Sequence, residues 1–504
     1  MTDTPTWAMS GARRAALTAA SVLATTLMAV DITIASVALS QIQGSLAVTP
    51  DQVAWVLTAY MIALAIATPA VGAVSDRLGR RRTFLFAVAG FTLCSVACGL
   101  AWSIESLVAF RFAKGAFAAA LVPISQAVLL DAHPPERHGR AMAYWSIGVM
   151  VGPIVGPLAG GWLVQNFDWR WIFLVNVPFG ALAYAAIVAF LPRDGAVTAR
   201  RFDTFGYVAL ALSLACLQFV LERGERADWF EATHIVVLSG LALAAGWVFV
   251  AHSKTSREPF FDPALFRDTH FVACVVVTFV TSGVFYANLS MFAPFLQGVL
   301  GYPADAAGYM IAPRGFGVLL GVAASSALRR FASDRVIISA GLVGSAIGIG
   351  SMTSFSLETD PWLLTWTGVV QGVCYGVMFA PLTTATFATL PARLRTEAAA
   401  LVQLVRQISG GIGIAFAFTL LTREGHGRAQ ALVETVDPDV GASVLGASDL
   451  GVAQLQAELA RQAGLLAYLH VVGWLVLAIL LMLPFVAMIR PLRERSPAVA
   501  TTPD

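Results

Sequence analysis

The feature that most constrains this chain is a repeat of apolar runs about 20 residues long, separated by short charged or turn-rich breaks. At 1.5 Å per helical residue, such a run crosses the roughly 30 Å hydrocarbon core of a bilayer. Of the 504 residues, 58% are hydrophobic and 12% are charged. That is about half the charged share of an ordinary globular protein, too little to give a soluble core a polar skin. The fold class is therefore an all-α polytopic membrane protein, with fourteen expected spans.

The formal net charge of +2 and the lack of a dense basic tract argue against a nucleic-acid partner. All five cysteines (Cys94, Cys98, Cys216, Cys274 and Cys374) fall in expected spans, where packing is the expected role rather than a disulfide or a metal site. Arg13 and Arg14 precede the first apolar run, 15–39, which is too long for a signal-peptide core and reads as a retained span.

Short cytoplasmic loops collect Lys and Arg. With the N-terminus inside, most of the 32 basic residues fall in inner segments, so both ends are expected in the cytoplasm. The expected organisation is a cytoplasmic N-terminus 1–14, a six-helix half 15–191, two inserted helices 203–252, a second six-helix half 271–489 and a cytoplasmic tail 490–504. The segments 193–203 and 252–270 bracket the inserted pair. An outer loop 422–464 interrupts the second half. Leu450, Val452, Leu455 and Leu459 recur there at helical spacing after Ser448 or Asp449, which predicts an amphipathic helix leading into the last span.

Four stretches carry chemistry. "MAVDITIASVAL" (28–39) places Asp31 inside an apolar run, with no neighbour in sequence to neutralise it. A spanning charge costs several kcal/mol, so Asp31 either satisfies a neighbouring helix or serves function. Its standing as the one acid well within a span favours function. "LVAFRFAKGAFAAALVPISQ" (107–126) sets Arg111 and Lys114 one turn apart, facing a partner, a wet cavity or, by snorkelling, the head groups. "SIGVMVGPIVGPLAGGWL" (146–163) spaces Gly148, Gly152, Gly156 and Gly160 four apart, with Pro153 and Pro157 between them. Such a stripe admits close packing of another helix. "GAVSDRLGRRR" (72–82) supplies Gly72 and Gly79 for tight turns, Asp76 as a helix cap or an arginine partner, and Arg77 and Arg80 as inner anchors.

The last motif, between spans two and three, resembles the loop motif of the major facilitator superfamily, where it forms a charge-relay latch on the inner face. The Gly–Pro stripe resembles the antiporter motif of that superfamily's exporters. With "WRWIFLVNVPFG" (169–180), "ERGERADWF" (222–230), "LGYPADAAGYMIAPRG" (300–315) and 390–413, the chain resembles the fourteen-span drug–proton antiporters of the EmrB/QacA type from about residue 15 to 490.

The resemblance implies proton-coupled export of small amphipathic or hydrophobic compounds across the inner membrane, with no catalysis and no cofactor beyond the proton motive force. Asp31 would carry the proton and Arg111 adjust its acidity. Asp31, Lys114, Gln126, Asn288 and Gln371 are expected to line the substrate cavity. Lys114 departs from the usual Gln, which puts a preference for cationic drugs in doubt. The long outer loop suggests a periplasmic adaptor and an outer-membrane channel as partners. Export of one physiological compound, a fatty acid or siderophore, is the alternative, and a non-transporting membrane sensor is another.

Overall fold

The computed structural model describes residues 10–134, 137–194, 202–224, 227–256, 259–391, 394–435 and 449–489. Among them every regular element is helical.

The first half holds α1 (Gly11–Val37), the short α2 (Leu39–Leu46), α3 (Pro50–Leu78), α4 (Arg80–Gly99), α5 (Ile104–Ala118), α6 (Leu121–Ala132), α7 (His138–Asn166), the one-turn α8 (Trp171–Leu174) and α9 (Asn176–Phe190). Local chemistry sets the ends. Thr49 and Gln52 form a capping box before Pro50 at the first helical position of α3, and Ser103 with Ser106 does the same for α5. The fourth expected span is broken into α5 and α6 three residues before Pro123. Proline has no N–H for the carbonyl four residues back, and its ring crowds that carbonyl, which here belongs to Ala119.

Two helices follow, α10 (Thr204–Arg223) and α11 (Thr233–Thr255), packed on each other through Ser213 Oγ bonding the Ala242 carbonyl at 2.8 Å. Tyr207 on α10 bonds the Ile66 carbonyl of α3 at 3.2 Å, and α10 also meets a long helix of the second half. Leu243 and Trp247 of α11 are about three-quarters exposed, as lipid-facing side chains are.

The second half contains α12 (Ala264–Arg267), α13 (Thr269–Pro294), α14 (Ala304–Leu328), α15 (Asp334–Gly350), α16 (Pro361–Ala388), α17 (Arg395–Thr435), α18 (Asp449–Leu480) and α19 (Leu483–Met488). Among the described residues, thirteen stretches are long and apolar enough to cross a membrane. The fifth expected span is the helix α7, a continuous 29 residues.

One expectation is revised. Where a loop was expected, α17 runs on as helix through residues 422–435, while α18 begins at Asp449 as the expected helix leading into the last span. A polar sequence ends the membrane crossing but not the helix, and Glu424 pairs with Arg428 four residues on, at 3.2 Å. Leu459 is half-buried, whereas the side chains of Leu450, Val452 and Leu455 lie outside the described residues, as does Ser448.

The two halves meet on the face that the arginines mark as inner. Trp145 of α7 stacks on Phe379 of α16, their ring centroids 6.4 Å apart, and Arg406 of α17 lies over both rings.

Candidate functional site

Asp31 lies in the last third of α1 and is fully buried. It is not alone. Arg111 Nη1 stands 2.7 Å from Asp31 Oδ2, and Lys114 Nζ stands 2.5 Å from Oδ1. Both cations come from α5, three residues apart and so on one face, and both are themselves fully buried. Asn176, at the start of α9, donates Nδ2–H to Asp31 Oδ1 at 3.3 Å. Arg111 Nε donates to the Val56 carbonyl of α3 at 3.0 Å. Aromatic faces enclose the cations: Arg111 lies 4.2 Å over Tyr60, and Lys114 lies 4.5 Å over Phe91, with Phe173 within 6 Å of both.

The arrangement is a buried triad of one anion and two cations. Neutralising Asp31 in this geometry would leave two buried cations without their counter-ion. Lys114 does not snorkel. Its ammonium is a direct partner of the acid.

The glycine stripe of α7 packs on the helix that carries Asp31. Thr26 Oγ1 bonds the Gly148 carbonyl at 3.1 Å, and Thr33 Oγ1 bonds the Gly152 carbonyl at 2.9 Å. A Cβ at Gly152 would strike the backbone of Ala29, and one at Gly156 would strike Thr33 Oγ1. Gly160 faces Ile34. The side chains of Pro153 and Pro157 lie outside the described residues.

The motif at 72–82 is not an extended loop. It is the last two turns of α3, the single residue Gly79, and the first turn of α4. Gly79 takes φ +89°, where a side chain is strained, and a Cβ there would also strike Asp194. Asp194 accepts the Arg81 and Arg82 amides at 2.8 and 3.2 Å, filling the cap position that the sequence reading gave to Asp76. Asp76 instead lines a small cavity with Phe202, Phe260 and Glu397, within electrostatic reach of Arg80. Arg77 lies 5.4 Å over the Phe202 ring.

Two contacts of this region cross between the halves. Arg80 ion-pairs with Asp131 of α6, whose other oxygen lies 3.3 Å from Arg395 Nη1 at the start of α17. Gly72 packs directly on Glu397, whose carboxylate accepts the Asp262 amide at 2.5 Å.

The expected cavity residues are buried but divided. Asp31 and Lys114 lie in the first-half triad. Gln126 follows Ser125 on α6, which shares a hydrogen-bonded cluster with Thr25 and Trp145 nearer the inner face. Asn288 and Gln371 lie inside the second half, where Asn288 Nδ2 meets Met352 Sδ at 3.5 Å. Sequence reading overlooked Tyr60, Asp131, Asp194 and Glu397, and gave no role to Asn176 although it stands inside a quoted motif. Arg314 and Arg406 were visible as spanning charges and went unassigned.

The sequence profile described as the Major Facilitator Superfamily matches residues 21–414. The chain is 32% identical to the multidrug export protein EmrB of Escherichia coli, over 94% of its own length and 95% of that protein's. It is also 32% identical to the fatty acid resistance protein FarB of Neisseria gonorrhoeae, over 82% of each chain. Among solved structures, the human organic anion transporter TETRAN superposes with a TM-score of 0.61 at 15% identity, covering 95% of this chain and all of that one, a likeness of fold alone. The chain belongs to the major facilitator superfamily, among the relatives of the EmrB multidrug export proteins.

Proposed function

We propose that this protein is a multidrug exporter of the inner membrane that exchanges small amphipathic or hydrophobic compounds for protons. The observation that carries the proposal is the buried triad of Asp31, Arg111 and Lys114 on α1 and α5, next to a glycine stripe that locks α1 to α7. In the outward-open state, water reaches Asp31 and a proton displaces its ion pairs. Rocking of the two halves then opens the inner side, the proton leaves as Lys114 and Arg111 return, and substrate moves the other way.

In this reading α7 also crosses the membrane and brings the spans to fourteen, both termini are cytoplasmic, and α10 with α11 forms a pair inserted between two six-helix halves. The protein is a transporter and no enzyme, and the proton gradient is its energy source. The inner-face bridge of Arg80, Asp131 and Arg395 is the latch that holds the inner side shut. The outer parts of α17 and α18 offer a docking surface for a periplasmic adaptor and, through it, an outer-membrane channel.

The test is proton-driven uptake into inside-out vesicles, across a panel of anionic, neutral and cationic compounds. Uptake that collapses with the gradient and is lost in Asp31→Asn supports antiport. Ligand binding without proton-coupled flux would point to a sensor. The similarity to FarB favours a second reading, a dedicated fatty acid exporter, for which the same panel would yield a single responsive class.

A further inference from the structure

Among the described residues, the buried charges are Asp31, Arg111, Lys114, Arg314 and Arg406, four cations against one carboxylate. Asp31 is already shared by two of them. Arg406 rests on the aromatic rings between the halves. Arg314 has one such ring, Phe292, and no carboxylate beside it among the described residues. It is 2% exposed, and none of its three guanidinium nitrogens has a hydrogen-bond partner. A buried charge in that condition is expensive, and a counter-ion removes the cost.

The surroundings of Arg314 repeat the triad of the first half with its charges rearranged. Asp31 stands six residues before the last residue of α1 (31 against 37), and Asn288 stands six before the last of α13 (288 against 294). Tyr60 and Arg314 both lie ten residues past the first of their helices, α3 from 50 and α14 from 304. Arg111 and Gly368 both lie seven past the first of α5 and α16, from 104 and 361, and Lys114 and Gln371 both lie ten past it. The second half thus keeps one cation, moved from the fourth helix to the second, and replaces the carboxylate with an amide.

The contacts fit that exchange. Arg314 lies 4.9 Å over the Phe292 ring and within electrostatic reach of Tyr468. Gly368 leaves room beside its guanidinium, since a Cβ there would stand 3.4 Å from Nε. Asn288 Oδ1 and Gln371 Oε1 are likewise buried with no hydrogen-bond partner. The open guanidinium donors of Arg314, beside a glycine and an aromatic ring, suit a group carrying one negative charge next to an apolar body.

We infer that Arg314 is the seat of a monoanionic head, the carboxylate of an exported amphiphile, which completes in the second half the ion pair that Asp31 completes in the first. The inference rests on the export reading above and names its substrate class. Chloride shares the charge, and the test separates the two.

The probe is decanoate, compared with decanol and decyltrimethylammonium, on the full-length protein in detergent and in proteoliposomes. Decanoate is expected to raise the melting temperature of the parent. Arg314→Gln is expected to weaken its binding about tenfold or more, with Arg314→Lys in between. Gly368→Asp supplies an internal carboxylate beside Nε, so it is expected to raise stability and abolish decanoate binding. Undiminished decanoate binding in both Arg314→Gln and Gly368→Asp would overturn the site. So would stabilisation by chloride over methanesulfonate, lost in Arg314→Gln, with no response to decanoate. Arg314-dependent decanoate binding without gradient-driven efflux would sink the antiport reading and leave the site standing. Proton-driven efflux with decanoate binding indifferent to Arg314 would do the reverse.

Discussion

At the scale of single residues, the triad makes opposite demands on stability and transport. Asp31→Asn removes the only anion between two buried cations, so it is expected to cost about 3–5 kcal/mol as well as to abolish gradient-driven export. Removing one cation with it, as Asp31→Asn with Lys114→Gln, restores much of the melting temperature in detergent but not proton-coupled transport. Recovery of transport in the double variant would free Asp31 of its assigned role. Lys114→Gln alone is expected to move substrate preference toward cations, read from the same compound panel; an identical profile would show that Lys114 serves only to hold Asp31. The acid and both cations were legible in the sequence because a charge in an apolar run is a local anomaly. Their partnership was not, because it depends on how α1 and α5 are rotated against each other. Asp131 and Asp194 were given no role, since their partners lie 51 and 113 residues away.

At the scale of helices, the stripe on α7 was legible as a packing surface, and the structure adds that its partner is α1. Gly156→Leu would drive a side chain into Thr33 and separate the two helices, so export and folded yield are both expected to fall. The milder Gly156→Ala is expected to cost about 1–3 kcal/mol, the usual range for overpacking, and Thr33→Ala should return part of it by removing the obstructing hydroxyl. A wild-type melting temperature in Gly156→Leu would mean that this contact does not hold α1 in place. Span ends were harder to read than span centres. Hydropathy reports where lipid stops, whereas a helix continues as long as its residues favour it, and the charged continuation of α17 past residue 421 illustrates the difference.

At the scale of the whole molecule, the halves are joined on one face by Arg80, Asp131 and Arg395, and by Gly72 against Glu397. Asp131→Asn is expected to loosen this face and favour the inner-open state, raising the labelling of a cysteine placed at Gly72. Labelling that stays at the parent rate would make the bridge incidental to gating. Asp76→Asn is expected to lower transport at normal abundance by disturbing Arg80. The repeat of apolar runs carried the all-helical architecture because bilayer thickness imposes one length on every crossing. Closure between the halves left no such trace, since either packing buries the same residues. The 41 residues of α17 have a mechanical consequence as well. A straight helix of that length is about 60 Å long, roughly twice the hydrocarbon core, and it is rooted at Arg395 in the inner-face bridge. It would act as a lever with its fulcrum at that bridge. A tilt of about 10° at the root would swing the far tip by roughly 10 Å, enough to push or pull whatever is bound there. Spin-label distances between Arg428 and Ser45, taken with and without a proton gradient, would record that stroke.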